Sequence, residues 1–379
     1  MRVTFPHMGS SWVGIRYLLS EIGFDVVVPP AITRKTLELG VKVAPESICL
    51  PFKVNLGNYL EAIEAGADVI FMVGGIGPCR LGYYAEVQRE ILEDLGLGVE
   101  VIVLERDNFV QEIAKAVRSL GVSFPWSRLV SLVRFCLAKV SYLDRLEAEL
   151  MRQRYREKEV GACTRLFEQT IRRVDQAASQ AELRAIAKEV SQQLDSILKP
   201  PSGRPLKIAV LGEIYMLIER SVNLGVAEKL GELGAIVERN MYSSHWVKEH
   251  LIPDFRMRRH ARHIERLARP YLPQRVGGHG LETIGNAVHY SLAGFDGVVQ
   301  VLPLTCMPEI IAESILPTIS RDLQLPSMTL ALDEHSAEAG VQTRLEAFLD
   351  MLGQRQARQE TAADSRHHDH HNRLAPQVL

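Results

Sequence analysis

One short pattern occurs twice, and it restricts the fold more than any other stretch. Ala65-Gly-Ala-Asp68 runs into the apolar segment Val69-Ile-Phe-Met-Val73 and reaches Cys79. Ala293-Gly-Phe-Asp296 runs into Gly297-Val-Val-Gln-Val301 and reaches Cys306. A short β-branched run bounded by Gly or Pro reads as a buried parallel strand. Each copy therefore ends in a thiol just past a strand's carboxyl end, which is where open α/β sheets bind ligands. Two such thiols facing one crevice, with a third nearby, would make an iron–sulfur site.

The rest of the chain fits two copies of one α/β plan. Arg2–Pro6 reads as a strand, Val13–Ile22 as a helix stopped by Gly23, and Phe24–Pro29 as the next strand. Glu46–Lys53 reads as a loop carrying Cys49, and Asn55–Ala65 as an amphipathic helix leading into the first copy of the repeat. Tyr83–Leu95 is helical and Val99–Leu104 a strand. Between Asp107 and Lys199, stretches such as Leu143–Glu159 and Gln180–Leu198 carry mixed charge at helical spacing, and Pro200-Pro-Ser-Gly-Arg-Pro205 ends them. Leu206–Leu211, Gly212–Tyr215, Asn223–Leu233 and Ala235–Arg239 then repeat the opening strand, turn, helix and strand. After Cys306 come a helix over Glu309–Leu323, a strand over Ser327–Leu332 and a helix over Thr343–Leu352. The expected fold class is α/β, two Rossmann-like lobes with parallel sheets. The lobes span 1–106 and 201–353, a helical connector spans 107–200, and 354–379 is a disordered tail containing His367-His-Asp-His-His371.

Composition narrows the function classes. A net charge of −2 leaves no nucleic-acid-binding footprint. No apolar run reaches the roughly 18 residues of a membrane span, and the amino terminus lacks the pattern of a secretion signal, so a cytoplasmic protein is expected. Five cysteines in that setting favour metal binding, catalysis or burial over disulfides. Cys136 sits in an apolar helical pattern and reads as core, and Cys163 as buried or on a helix surface. Cys49, Cys79 and Cys306 each lie within two residues of a proline, which keeps loop backbone irregular and its N–H groups available to an anionic centre. Their spacing matches no contiguous ferredoxin run. The basic stretch Arg256–Arg269 reads as a solvated helix face or as a grip for an anion. Gly277-Gly-His-Gly280 reads as a turn or an anion-holding helix start.

Five motifs in order carry a family resemblance: Glu46-Ser-Ile-Cys-Leu-Pro-Phe-Lys53, Gly77-Pro-Cys-Arg-Leu-Gly-Tyr83 with Gln88, Gly212-Glu-Ile-Tyr215, Cys306-Met-Pro-Glu309 and Thr343-Arg-Leu-Glu-Ala-Phe348. They resemble the iron–sulfur subunits of the 2-hydroxyacyl-CoA dehydratase family and its double-cubane relatives, in particular a stand-alone branch labelled CoA enzyme activase. The resemblance covers roughly Met1–Gly353. It implies a [4Fe–4S] cluster held by Cys49, Cys79 and Cys306, with a double-cubane form as the variant, and one iron left open to a substrate hydroxyl. It also implies low-potential, anaerobic chemistry on a small acyl-CoA, an electron from an ATP-dependent activase carrying its own cluster, and a homo- or hetero-oligomer. The chain departs from the activase itself. It has neither an Asp-x-Gly-Ser/Thr phosphate loop nor Gly-x-x-x-x-Gly-Lys-Ser/Thr, so it reads as the activase's client or as a module fused to it elsewhere.

Supporting roles attach to residues beside the thiol loops. Lys53 and Arg80 are expected to offset cluster charge or bind an anionic substrate, or simply to be solvated. Glu309 is expected to cap its helix. Glu213 and Tyr215 belong to the turn after a strand and are candidate catalytic groups, as is His279. Three classes of function stay open: an enzyme or enzyme component (lyase or oxidoreductase), an electron or cluster carrier, and a scaffold with structural or zinc-binding thiols.

Overall fold

Asp68 and Asp296 explain why the repeat carries an aspartate. In the computed structural model, which describes residues 1–74, 80–105, 109–119, 121, 124–251 and 254–372, the Arg2 backbone N–H donates to Asp68 Oδ2 at 2.9 Å. The Lys207 N–H donates to Asp296 Oδ2 at 2.8 Å. Each carboxylate pins the start of its lobe's first strand beside the strand that leads to a cysteine. The first sheet comprises β1 (Arg2–Thr4), β2 (Asp25–Val26), β3 (Val69–Val73) and β4 (Glu100–Leu104), all parallel, in the order β2-β1-β3-β4. The second comprises β5 (Lys207–Gly212), β6 (Ile236–Arg239), β7 (Gly297–Pro303) and β8 (Ser327–Leu332) in the matching order β6-β5-β7-β8. The fold is thus α/β with twin parallel sheets.

Helices follow the strands. The first lobe carries α1 (Trp12–Ile22), α2 (Arg34–Val43), α3 (Leu50–Glu64), α4 (Tyr84–Asp94) and α5 (Phe109–Ser119). Gly23 ends α1 at φ 115°, a conformation that costs glycine little. The reading of Glu46–Lys53 as loop needs correction at its end, because Cys49 is already the N-cap of α3. Pro51 in the first turn has no N–H to lose there, so it starts the helix instead of delaying it.

Nor is α3 amphipathic, since every residue from Leu50 to Tyr59 is buried. Its Lys53, Asn55 and Asn58 side chains are buried along with the apolar ones, and the packing shows how. Phe52, Leu56 and Tyr59 pack into the first lobe with Ile70, Met72 and Val101. Leu50 and Val54 pack into the second with Val299, Val301 and Leu330. α2, which the sequence reading passed over, crosses α3 at two glycines. A Cβ on Gly40 would meet the Lys53 carbonyl oxygen at 1.8 Å, and one on Gly57 the Thr36 oxygen at 1.9 Å.

The connector consists of α6 (Leu129–Gln153), α7 (Ala162–Gln176) and α8 (Gln180–Ile197). These share a core that includes Val13 of α1, Leu143, Cys163 and Val190. The second lobe adds α9 (Ile214–Ile218), α10 (Val226–Glu232), α11 (Ser243–His250), α12 (Phe255–Ala268), α13 (Gly280–Leu292), α14 (Met307–Asp322) and α15 (Glu338–Asn372). α15 overruns the expected boundary at Gln354, because Gln354-Arg-Gln-Ala-Arg-Gln-Glu360 consists of good helix formers. Among the described residues, no helix is long and apolar enough to cross a membrane.

Candidate functional site

Strand order fixes where a ligand-sized opening falls in each lobe. In an order of 2-1-3-4 the chain reverses direction between the first and third strands, and the crevice lies beyond their carboxyl ends. The loop after β1 meets the segment after β5. His7 Nδ1 lies 2.8 Å from Glu219 Oε2, and the Gly9 N–H donates to the same oxygen at 2.8 Å. Burial pushes the Glu219 carboxyl up, but His7 and the N–H groups of Gly9 and Ser221 bring it below the usual value. The two switch points therefore face each other.

The thiols sit on two other loops, one from each lobe. Cys49 caps α3 and Cys306 caps α14, in both cases with Pro in the first turn and no side-chain capping bond from the cysteine. Two helix amino ends thus offer N–H groups and partial positive charge to an anionic centre. The loops touch, with Thr305 Oγ1 donating to the Ser47 carbonyl at 3.4 Å. The Cys49 thiol is buried 2.6 Å from Tyr84 Oη, and the Tyr84 ring meets Phe52 edge-on. Cys79 lies outside the described residues, as does the side chain of Arg80. Among the described residues no group of three His, Cys, Asp or Glu side chains is arranged to hold a metal ion.

Lys53 is buried, donates to the Glu46 carbonyl at 2.9 Å and pairs with Glu334 just past β8. Burial raises the Glu334 carboxyl, but the Lys53 ammonium pulls it below its usual value. This clasp ties the loop before Cys49 to the second lobe.

Glu309 does not cap its helix, contrary to expectation. Cys306 holds the N-cap position, and the Glu309 side chain is wholly buried, where Thr283 Oγ1 donates to it at 3.0 Å and Gln300 Nε2 at 2.9 Å. Burial pushes this carboxyl up to about 8; Gln300 and Thr283 offset part of that, and Glu213 and Glu282 add to it. Glu309 is therefore mostly protonated at neutral pH. It lies one helical turn past Cys306.

The stretch Gly212–Tyr215 is not a plain turn. Glu213 is the N-cap of α9, accepting from the Met216 N–H at 3.0 Å, and Tyr215 lies inside that helix. Gly212 is required there, because it sits at φ 139° and a Cβ would meet the Val301 oxygen at 1.9 Å. Among the described residues, Tyr215 Oη is buried without a hydrogen-bond partner, as are Asn55 Oδ1 on α3 and both polar atoms of Gln88, one turn beyond Tyr84. Buried polar atoms left unpaired in this way are rare and mark places where a further polar group belongs. His279 is the N-cap residue of α13. Burial, helped by His250, lowers its imidazole to about 4, so it is neutral at neutral pH.

Tyr84, Ser47, Thr305 and Glu334 were not singled out from sequence. Ser47, Thr305 and Tyr84 lie inside or beside the cysteine motifs, whereas nothing local marks Glu334. Large apolar side chains are exposed around the thiol loops: Leu81, Tyr83, Leu304, Met307 and Ile310. Such residues next to a polar crevice favour contact with a ligand or a partner.

Residues 8–73 match the model of a family described as the CoA enzyme activase uncharacterised domain. The match covers β3 and the helices before it, including Cys49. A search of the curated proteins returns no match.

Proposed function

We propose that the chain is an iron–sulfur protein of the 2-hydroxyacyl-CoA dehydratase type, with Cys49, Cys79 and Cys306 as ligands of a [4Fe–4S]-type cluster. The observation that carries this reading is the contact between the Ser47 and Thr305 loops, each of which delivers a cysteine to the amino end of a helix. The donor set suits the group: two thiols lie at helix amino ends, where backbone N–H groups favour negative charge. When bound, such a cluster with three thiolate ligands supplies an open iron that is both a Lewis acid and a port for one electron.

The chain's own residues do the remainder. Tyr84 Oη supports the Cys49 sulfur. Glu309, buried and protonated near neutral pH, holds a proton one turn from Cys306. The exposed Tyr83, Leu304, Met307 and Ile310 give an apolar rim that suits a small acyl-CoA substrate or a docked electron donor. An ATP-dependent activase with its own cluster is the proposed donor, in keeping with the activase-type match over residues 8–73.

The test is anaerobic reconstitution with iron and sulfide of the full chain and of Cys49→Ala, Cys79→Ala and Cys306→Ala. The expected result is a brown wild-type protein whose iron falls in each variant. Equal iron in all four overturns the site. An electron paramagnetic resonance signal that shifts when acetyl-CoA is added supports substrate chemistry, and an unshifted signal makes the protein an electron carrier. A colourless protein that retains zinc makes the thiols structural.

A further inference from the structure

α12 concentrates positive charge to an extent unmatched by its surroundings. Its 14 residues include Arg256, Arg258, Arg259, Arg262 and Arg266 against a single carboxylate, Glu265. That carboxylate is taken by Arg269 and Arg275, at 3.8 and 3.2 Å. Asp254, at the helix start, accepts from the N–H groups of Arg256 and Met257. Among the described residues no carboxylate pairs with any of the five arginines.

Several of these side chains share one stretch of the helix surface. Arg256, Arg259 and Arg266, with His260, His263 and the exposed ring of Phe255, line a concavity of about 540 Å³. Its lining comes wholly from α12, and the hollow is open to solvent. The wall is firmly held. A Cβ on Gly285 of α13 would meet the Ile264 oxygen at 2.3 Å, so α12 lies tight on α13. His289 of α13 backs the two imidazoles, with ring centroids 6.1 Å from His260 and 6.0 Å from His263. Guanidinium groups gathered in one hollow repel each other unless an anion lies among them, and their planar forks match phosphate oxygens.

We infer that this concavity binds a nucleoside diphosphate or a similar phosphorylated ring compound, its phosphates on Arg256, Arg259 and Arg266 and its base against Phe255. A nucleic acid is a poorer fit, because the basic surface is one helix long and the whole chain carries a net charge of −2. The inference is independent of the thiol site.

The experiment is calorimetric titration of the full chain with ADP and, separately, with inorganic pyrophosphate, in low and high salt. The wild type is expected to bind both, ADP more tightly, and to bind both more weakly as salt rises. Arg256→Ala combined with Arg259→Ala should weaken both ligands by about tenfold or more, a loss of ~1.4 kcal/mol. Phe255→Ala should weaken ADP alone. These side chains are exposed, so the variants should melt as the wild type does. The inference is overturned by any of three results: no heat with either ligand at millimolar concentration, affinities unchanged in the arginine variant, or capture of duplex DNA or polyglutamate in place of ADP. Pyrophosphate binding as tightly as ADP, with no effect of Phe255→Ala, overturns the nucleoside assignment.

Discussion

Tyr84 Oη and Cys49 Sγ lie 2.6 Å apart in the interior, with the tyrosine ring held edge-on by Phe52 at a centroid distance of 5.0 Å. A phenol so close to a sulfur donates to it once the sulfur is a thiolate, and donors of this kind raise the potential of an iron–sulfur centre. Tyr84→Phe is therefore expected to keep the reconstituted iron but to move the midpoint potential to more negative values. Redox titration followed by electron paramagnetic resonance checks this.

Glu309 makes stability fall with rising pH. Its folded-state value of about 8 lies above the ordinary 4.5, so its contribution is complete below about pH 4.5 and declines as pH rises through 8. Glu309→Gln keeps a neutral group that Gln300 and Thr283 can still bond, and should flatten this decline. Urea midpoints measured between pH 5 and 9 separate the two proteins, and equal slopes would show that the carboxyl is already ionised in the fold.

The clasp between Lys53 and Glu334 should matter more than a surface pair, because the two side chains are only 3% and 15% exposed. Glu334→Gln leaves the Lys53 ammonium buried beside a neutral amide and is expected to cost about 3–5 kcal/mol. The sign with pH is opposite to that of Glu309. The Glu334 value is lowered, so the wild-type contribution is present above about 4.5 and is lost in acid. Denaturation at neutral and acid pH tests both parts.

The crossing of α2 and α3 has no room for side chains at its glycines. Gly57→Ala puts a methyl group 1.9 Å from the Thr36 carbonyl oxygen, so the helices must separate. A loss of about 1–3 kcal/mol or more is expected, and thermal unfolding of the variant measures it.

Local signals were readable in the sequence. Gly23 ended its helix as expected, the apolar runs at Val69 and Gly297 became central strands, and the repeated aspartate marked two equivalent sheets. The missed contacts of the site share one cause, separation along the chain. The stretch Leu50–Tyr59 buries even its polar residues Lys53, Asn55 and Asn58, since it is covered from both sides. Lys53 with Glu334, Thr305 with Ser47, and Glu309 with Thr283 join segments whose proximity no spacing announces. Glu309 was misread because its position suited a cap, while Cys306 already filled that place.

The double burial of α3 decides how the molecule can flex. Leu50 and Val54 are embedded among side chains of the second sheet, while Cys49 begins the same helix. A hinge that swung the first sheet outward would have to break the packing of Phe52, Leu56 and Tyr59 on Ile70, Met72 and Val101. The helix that begins at Cys49 is thus shared between the two sheets, and displacing either one would strip apolar contacts from it.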